Sequence, residues 1–193
     1  MDTLSTRERI VSAANKLFYR DGIRAVSVDA VAEEAGITKR SLYYHFKSKD
    51  DLIAAYLDYR DLPNLKAFQR WYDEHDGAIE GKIVAIFEHL ATSARHPKWK
   101  GCGFLRTSAE LSNLPGHPAI QVGAAHKLKV ERWFANCFTA EGLATPEALA
   151  RQIRLLLDGA FAVVMLHRDP SYFRTAGEAA YALVTASRSA TRK

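Results

Sequence analysis

Basic and aromatic side chains are concentrated between Gly36 and Lys49. This stretch contains four Lys or Arg residues and no acidic residue. Arg and Lys can contact guanine edges or phosphates, and a tyrosine hydroxyl can reach a phosphate while its ring covers a thymine methyl group. These residue types therefore suit a nucleic-acid surface. With the adjoining helix starts included, the candidate DNA-contacting residues are Ser27, Thr38, Lys39, Arg40, Tyr43, Tyr44, His45, Lys47 and Lys49.

Two short helices around a glycine turn are needed to position these side chains. Ser27 is a favoured N-cap for the first helix, and Thr38 can cap the second. Gly36 lies between them, where a helix end needs a left-handed residue. In the second helix, Leu42 and Phe46 lie within about 40° of each other and face inward. The basic and tyrosine side chains then occupy the opposite half, so the pattern predicts a helix-turn-helix.

A plainer interpretation must be weighed against this one. A basic amphipathic helix taken alone is more often a solvated surface helix than a binding element. The turn glycine, the inward Leu42 and Phe46 and the one-sided basic face together favour DNA contact. A third helix begins at Ser48, with Asp51 placed for a capping box. Its first N–H groups, with Lys47 and Lys49, suit a phosphate.

A longer helix precedes this pair and completes a small module. Ser5 and Glu8 have the spacing of a capping box. Apolar residues then recur at helical spacing until Gly22. They are Ile10, Ala13, Ala14, Leu17 and Phe18. This face can cover the inward residues of the next two helices, which gives a three-helix unit that presents one helix to DNA.

The amino-terminal sequence resembles the TetR-type family of bacterial transcriptional regulators over about Ser5 to Tyr59. The resemblance is carried by Ala32, Ala35-Gly36-Ile37, Leu42-Tyr43, Tyr44-His45-Phe46, Ser48-Lys49 and Leu52. It implies a repressor that binds a palindromic operator in the major groove as a homodimer and leaves it when a small effector binds the carboxy-terminal domain. Lys39-Arg40-Ser41 departs from many relatives, which have smaller or less charged residues there, so the operator sequence is left open.

The whole chain is predicted to be all-α. Residues 1–60 are predicted to form a DNA-binding domain, and residues 61–193 a helical ligand-binding and dimerisation domain. Helical patterns occupy 65–72, 82–95, 104–111, 118–139, 146–167 and 175–187, and glycines and prolines separate them. Pro63 either kinks the helix that begins near Asp50 or starts a new one after an Asp61 cap. Residues from Ser187 onward are predicted to be a frayed basic tail.

Large side chains on the middle helices are the candidates for an effector pocket. An aromatic interior with a few polar groups can enclose an apolar or aromatic small molecule. Ordinary core packing is the competing interpretation of each residue, and only the family resemblance favours a pocket. The candidate ligand-binding residues are Phe68, Trp71, Phe87, Phe104, His126, Trp133, Phe161 and Met165.

Apolar residues after Pro146 surround most of their helix, which is more than one core-facing stripe requires. The last helix offers small side chains that allow close approach. Two such helices from each subunit could form an isologous four-helix interface. Its two-fold symmetry would place the DNA-contacting helices of the two subunits about 34 Å apart. The candidate interface residues are Leu149, Ile153, Leu156, Ala160, Val163, Val164, Ala179 and Leu183.

Other classes of protein receive little support. Cys102 and Cys137 have no metal-ligand or redox spacing, the seven histidines form no ligand pair, and no cofactor or metal is expected. There is no catalytic constellation, signal sequence or membrane span, so we expect a cytoplasmic protein that is not an enzyme and has no membrane partner. The alternatives to the repressor are an activator of the same fold and an effector-independent DNA-binding or architectural protein.

Overall fold

The computed structural model describes residues 4–190, without the side chains at 189 and 190. These residues form nine helices and no strand, which confirms the predicted all-α class. The helices are α1 (Thr6–Asp21), α2 (Val28–Glu34), α3 (Lys39–His45), α4 (Lys49–Asp73), α5 (Ile79–Ala94), α6 (Gly103–Glu110), α7 (Pro118–Ala140), α8 (Pro146–His167) and α9 (Ser171–Ala190). The predicted frayed tail is therefore helical through Ala190, and its last three residues lie outside the described part.

The contacts divide the chain into two compact units. Unit 1 is Met1–Pro63 with Cys102–Ala125, and unit 2 is Asn64–Gly101 with His126–Lys193. The predicted boundary at residue 60 is close to the end of the first segment of unit 1. The prediction had placed Cys102–Ala125 in the second domain, whereas the contacts place this segment with the amino-terminal helices.

Unit 1 is built on one apolar core. Ser5 and Glu8 form the predicted capping box at the start of α1, and Gly22 follows its end with a φ of 89°. Ile10 and Ala14 of α1, Leu42 of α3 and Leu52 of α4 lie in the core cluster with no exposed surface. Burial of this apolar surface is what stabilises α2 and α3, since each has only seven residues and is too short to be stable alone.

Helix α4 continues through Pro63 without ending. Of the two alternatives predicted at Pro63, a new helix after an Asp61 cap is wrong, because Asp61 lies inside α4 and is 8% exposed. A proline inside a helix removes one backbone hydrogen bond, and Pro63 stands at an exposed position of α4. Pro63 is also the last residue of the first segment of unit 1.

Unit 2 is a helical layer in which α9 packs against α5 and α8. Gly177 of α9 allows this approach, because a Cβ atom there would lie 3.1 Å from Cβ of Phe87. Phe134 and Phe138 of α7 and Phe173 of α9 have no exposed surface. Among residues 4–190, no helix combines the length and apolar character required to cross a membrane.

Candidate nucleic-acid interface

The turn between α2 and α3 has the geometry that its sequence predicts. The Ser27 hydroxyl oxygen accepts a hydrogen bond from the Ala30 amide at 3.1 Å. At the other end of α2, Gly36 has a φ of 65°, and the Ile37 amide donates to the Ala32 carbonyl at 3.0 Å. This pairing satisfies a terminal carbonyl of α2 and turns the chain sharply into α3.

Helix α3 is fixed by a cap at one end and by apolar burial along one side. The Thr38 hydroxyl oxygen accepts from the Ser41 amide at 3.1 Å. Leu42 is fully buried, and Phe46, which follows the helix, is 4% exposed. Both contribute to the core of unit 1. Their burial sets the rotation of α3 about its axis and so decides which side chains face outward.

All nine predicted DNA-contacting residues retain accessible surface. Tyr43 is 44% exposed and Tyr44 is 87% exposed. Ser27, Thr38, Lys39, Arg40 and Lys47 are also exposed, and His45 and Lys49 are partly exposed. The ring of His45 packs edge-on against Tyr44, with 5.3 Å between ring centroids. The outward half of α3 is therefore a continuous basic and aromatic surface.

An acidic residue that the sequence pattern missed also belongs to this surface. Asp29 of α2 accepts a hydrogen bond from the Lys39 ammonium of α3 at 2.9 Å. This contact raises the pKa of Lys39, through the hydrogen bond first and the charge of Asp29 second. Asp29 is the acidic residue in the first turn of α2. The ten-residue separation gave no signal for the pairing, because it depends on how α2 packs against α3.

Lys49 stands at the first residue of α4. The Ser48 hydroxyl oxygen accepts from the Asp51 amide at 3.0 Å, so Ser48 caps this helix as predicted. Partial burial lowers the pKa of Lys49, while the nearby Glu110 and Asp50 carboxylates act in the opposite direction. Lys49 therefore combines a cation with a helix start, where backbone N–H groups also attract anions.

Helix α6 is tied to the corner between α1 and α2. The Glu110 carboxylate accepts from the backbone amides of Ile23 at 3.3 Å and Arg24 at 3.0 Å. The Arg24 guanidinium donates to the Glu110 carbonyl. One turn earlier in α6, Arg106 donates to the Tyr19 carbonyl at 2.7 Å. These bonds explain why a segment more than 80 residues away belongs to unit 1.

His117 makes a second attachment, at the start of α4. Its Nδ1 accepts from the Ala119 amide at 3.1 Å, which caps α7, and its Nε2 lies 3.2 Å from the Asp50 carboxylate. The His117 side chain is 3% exposed. The Nε2 atom is buried and makes no hydrogen bond, so its relation to the Asp50 carboxylate is one of proximity alone. Residues of the 102–125 segment therefore lie against both the α1–α2 corner, which precedes the helix-turn-helix, and the start of α4, which follows it.

The predicted ligand-binding residues do not form one group. Phe104 lies in the core cluster of unit 1, whereas the other seven belong to unit 2. Trp71 contacts Phe68 and stacks on His89, with ring centroids 5.8 and 5.0 Å apart. The remaining predicted residues are distributed as follows: Phe87 and His126 are buried, Phe161 packs on Trp99 and Phe173, Trp133 contacts Tyr72 and Phe134, and Met165 covers Gly101.

A cleft of about 390 Å³ lies in unit 2 beside the Trp71 and His89 stack. Its walls come mainly from α5, with His75 before that helix and Tyr181 from α9. The lining residues are His75, Gly81, Val84, Ala85, Glu88, His89 and Tyr181. None of the eight predicted ligand-binding residues lines this cleft. Composition gave no signal for it, since only the packing of α9 on α5 brings Tyr181 to the site.

The predicted interface residues separate into interior and surface positions. Leu149, Ile153, Ala160 and Val164 are buried within the chain. Leu156, Val163 and Leu183 are partly exposed, and Ala179 is exposed. An apolar groove of about 260 Å³ between α8 and α9 is lined by Leu156, Gly159, Ala160, Val163, Tyr172, Thr175, Ala176 and Ala179. Packing in the interior, rather than contact with a partner, explains the apolar character of Leu149, Ile153 and Val164.

The fold and this surface define the class of all-helical proteins with an amino-terminal helix-turn-helix. The family model of bacterial regulatory proteins, tetR family, matches residues 10–56. A TetR-type transcriptional regulator from Streptomyces avermitilis is 33% identical, with a TM-score of 0.78 over 92% of this chain and 98% of that one. A TetR-family transcriptional regulator from Streptomyces coelicolor is 30% identical, with a TM-score of 0.72 over 97% and 96% of the two chains.

A curated relative matches over a shorter region. The HTH-type transcriptional regulator TtgR of Pseudomonas putida is 32% identical over 94 residues, which are 47% of this chain and 45% of TtgR. The match therefore spans about half the length of that relative. Because the Streptomyces structures match over nearly their whole length, the chain belongs to the TetR family of bacterial regulatory proteins.

Proposed function

We propose that this protein binds DNA in a sequence-specific manner and regulates transcription. The observation that carries the proposal is the division of α3 into two faces. Leu42 is fully buried on one side, while Tyr43 and Tyr44 stand exposed on the other beside Arg40. Exposing two aromatic rings and a guanidinium on a short helix stabilises nothing in the free chain, but it suits insertion into a major groove.

The outward side chains are proposed to contact different parts of the DNA. Lys39, Arg40 and Tyr43 are proposed to lie closest to base edges, because the first turns of a reading helix enter the groove. Lys47, Lys49 and Tyr44 are proposed to hold phosphates, and His45 contributes to either contact or supports Tyr44. Ser27 and Thr38 already accept backbone hydrogen bonds, so their proposed role is to hold the two helix starts against the DNA backbone.

The protein is further proposed to act as a homodimer on a palindromic operator. Support comes from the apolar groove between α8 and α9 and from the partly exposed Leu156 and Val163 that line it. A two-fold axis through this face would present two copies of α3 to half-sites about one helical turn apart. Repression by covering a promoter, in the cytoplasm where bacterial DNA lies, is the form of regulation proposed.

A small apolar or aromatic effector is proposed to release the DNA. Support comes from the aromatic residues of unit 2 that keep accessible surface, namely Phe68, Trp71 and Trp133. Phe104 no longer belongs to this proposal because it lies in the core of unit 1. A thermal-shift screen of apolar compounds tests the idea. Stabilising compounds are expected to lower operator affinity, and compounds that stabilise without affecting DNA binding would count against it.

The test of DNA recognition is selection of binding sites by the purified full-length protein from a random duplex library. The expected result is one enriched motif with two-fold symmetry. A matched control carries Arg40→Ala and Tyr43→Ala, which alter the outward face of α3 and leave Leu42 and Phe46 in place. Absence of any enriched sequence for the unaltered protein would refute sequence-specific binding. An unchanged motif for the double variant would refute the role of α3.

A further inference from the structure

The ion pair between Asp29 and Lys39 lies within the proposed reading surface, the DNA-contacting surface formed by the outward side chains of α3 and the residues beside it. Asp29 belongs to the first turn of α2 and Lys39 is the first residue of α3, so the contact bridges the starts of two helices. The carboxylate and ammonium are 2.9 Å apart. The Asp29 and Lys39 side chains remain 64% and 53% exposed, so a ligand can still reach both.

The contact restrains a side chain that would otherwise be mobile. Lysine has a long flexible stem and a compact charge, and a free lysine on a DNA-facing helix can settle on any nearby phosphate. A cation at the start of α3 is also disfavoured by the helix dipole, which an adjacent carboxylate offsets. The pair therefore favours one arrangement of the Lys39 ammonium near the first turn of the helix.

The carboxylate has a second effect through its own charge. Sequence-independent binding to DNA depends mainly on cations that neutralise phosphates. An exposed acid within the surface weakens binding to every duplex. This charge effect does not depend on sequence, so it lowers affinity without changing the ratio of specific to scrambled affinity.

We propose that Asp29 is a specificity-determining positioning residue, which holds Lys39 over base edges and weakens binding to unrelated DNA. This inference rests on the proposed DNA-binding function. It assigns to α2 a part in sequence discrimination that the basic stretch from Gly36 to Lys49 alone does not contain. Asp29 acts on the DNA chiefly through Lys39, so removing Lys39 must remove most of its effect.

The experiment compares Asp29→Asn, Lys39→Met and the double variant in the full-length protein. Affinities are measured by fluorescence anisotropy for the selected site and for a scrambled duplex, over a range of salt concentrations. Glu34→Gln is the matched control, because Glu34 is also an acid of α2 paired with a lysine, Lys16, at 2.6 Å. The control removes the same charge and the same kind of contact from the α1 side of α2.

Asp29→Asn is expected to lower the ratio of specific to scrambled affinity by about fivefold or more, within the range that one base contact provides. Affinity for the scrambled duplex should rise, with a log–log salt dependence steeper by about one as Lys39 moves to a phosphate. Glu34→Gln should leave the ratio unchanged. In the Lys39→Met background, Asp29→Asn should change the ratio by less than about twofold, because the coupled partner is gone.

Two results would overturn the inference while leaving the proposed function intact. One is a ratio for Asp29→Asn equal to that of Glu34→Gln. The other is an effect of Asp29→Asn that is just as large without Lys39. If the unaltered protein selects no sequence at all, the proposed function itself fails and the inference fails with it. Circular dichroism and melting temperature verify that each exposed substitution leaves the fold intact.

Discussion

Arg40 and Lys49 are both basic, but the structure gives them different surroundings. Arg40 is exposed on the outward half of α3, whereas Lys49 is partly buried at the start of α4. A guanidinium can pair with two acceptors on a guanine edge, which makes its contribution depend on sequence. An ammonium beside helix-terminal N–H groups attracts a phosphate of any sequence. Among single residues, Arg40 is therefore expected to contribute to sequence recognition and Lys49 to general affinity.

Arg40→Ala should cost about 1–3 kcal/mol on the selected site and relax the preference at one base position. Lys49→Ala should weaken binding to all duplexes similarly and reduce the slope of log affinity against log salt by about one. Anisotropy titrations on the selected and scrambled duplexes measure both quantities. Equal, sequence-independent losses in the two variants would show that the division of labour is wrong.

The burial of Leu42 fixes the rotation of α3 about its axis, so a single side chain determines how the whole helix is oriented. Its side chain has no exposed surface and lies in the core of unit 1. Two residues later, Tyr44 is 87% exposed. The same short helix therefore contains one side chain that serves stability and another that is free for binding.

Leu42→Ala should lower the free energy of unfolding by about 2–5 kcal/mol, the usual cost of a large cavity in a core. Tyr44→Ala, on the opposite face, should change it by less than about 0.5 kcal/mol. Urea denaturation followed by circular dichroism compares the two. A large loss for Tyr44→Ala would mean that this ring packs against the protein, and would remove the main evidence for an outward binding face.

Glu110 of α6 is the attachment of a distant helix to the α1–α2 corner. Glu110→Gln replaces one acceptor oxygen by an amide donor, which cannot satisfy both the Ile23 and the Arg24 backbone N–H groups. We expect a loss of about 1–3 kcal/mol in unfolding free energy.

The control for this substitution is Glu33→Gln, at an exposed position of α2. It removes the same charge and should change stability by less than about 0.5 kcal/mol. Urea denaturation again provides the measurement. Equal stabilities of the two variants would indicate that α6 is held to unit 1 by apolar packing alone.

The elements themselves could be predicted well from the sequence, because helices follow local periodicity and local caps. The spans 118–139 and 146–167 match α7 and α8 to within one residue. Assignment of Cys102–Ala125 to unit 1 could not be predicted, since it depends on bonds such as that of Glu110 to Arg24, 86 positions apart. At Pro63 the sequence left two alternatives open, a kinked helix or a new one, and α4 continues through the proline.

The prediction of the reading surface was limited for the same reason, because contacts between different helices cannot be derived from local spacing. The candidates Lys39, Arg40, Tyr43 and Tyr44 could be predicted from the spacing around Gly36, because they lie on one side of one helix. Asp29 could not be added by that reasoning, since it comes from a different helix. The predicted effector and interface residues illustrate a related limit. Periodicity identifies large apolar side chains, but it does not separate those buried within the chain, such as Ile153, from those left at its surface.

At the scale of the whole molecule, the α8–α9 groove is the proposed contact between two copies of the chain. Leu156→Glu with Val163→Glu should give a monomeric mass by light scattering and weaken operator binding, because each half-site would then be bound separately. Asn136→Glu with Ala140→Glu adds two charges at exposed positions of α7 and should leave mass and affinity unchanged. A monomeric mass of the unaltered protein at micromolar concentration would contradict the proposed homodimer.

Helix α3 is proposed to contact base edges in the major groove. Methylation interference on the selected operator tests it directly, because a methyl group on guanine N7 blocks the major-groove edge. We expect interference at a guanine in each half-site for the unaltered protein and loss of that interference for Arg40→Ala. An identical interference pattern for the two proteins, or interference only from methylation in the minor groove, would contradict the claim.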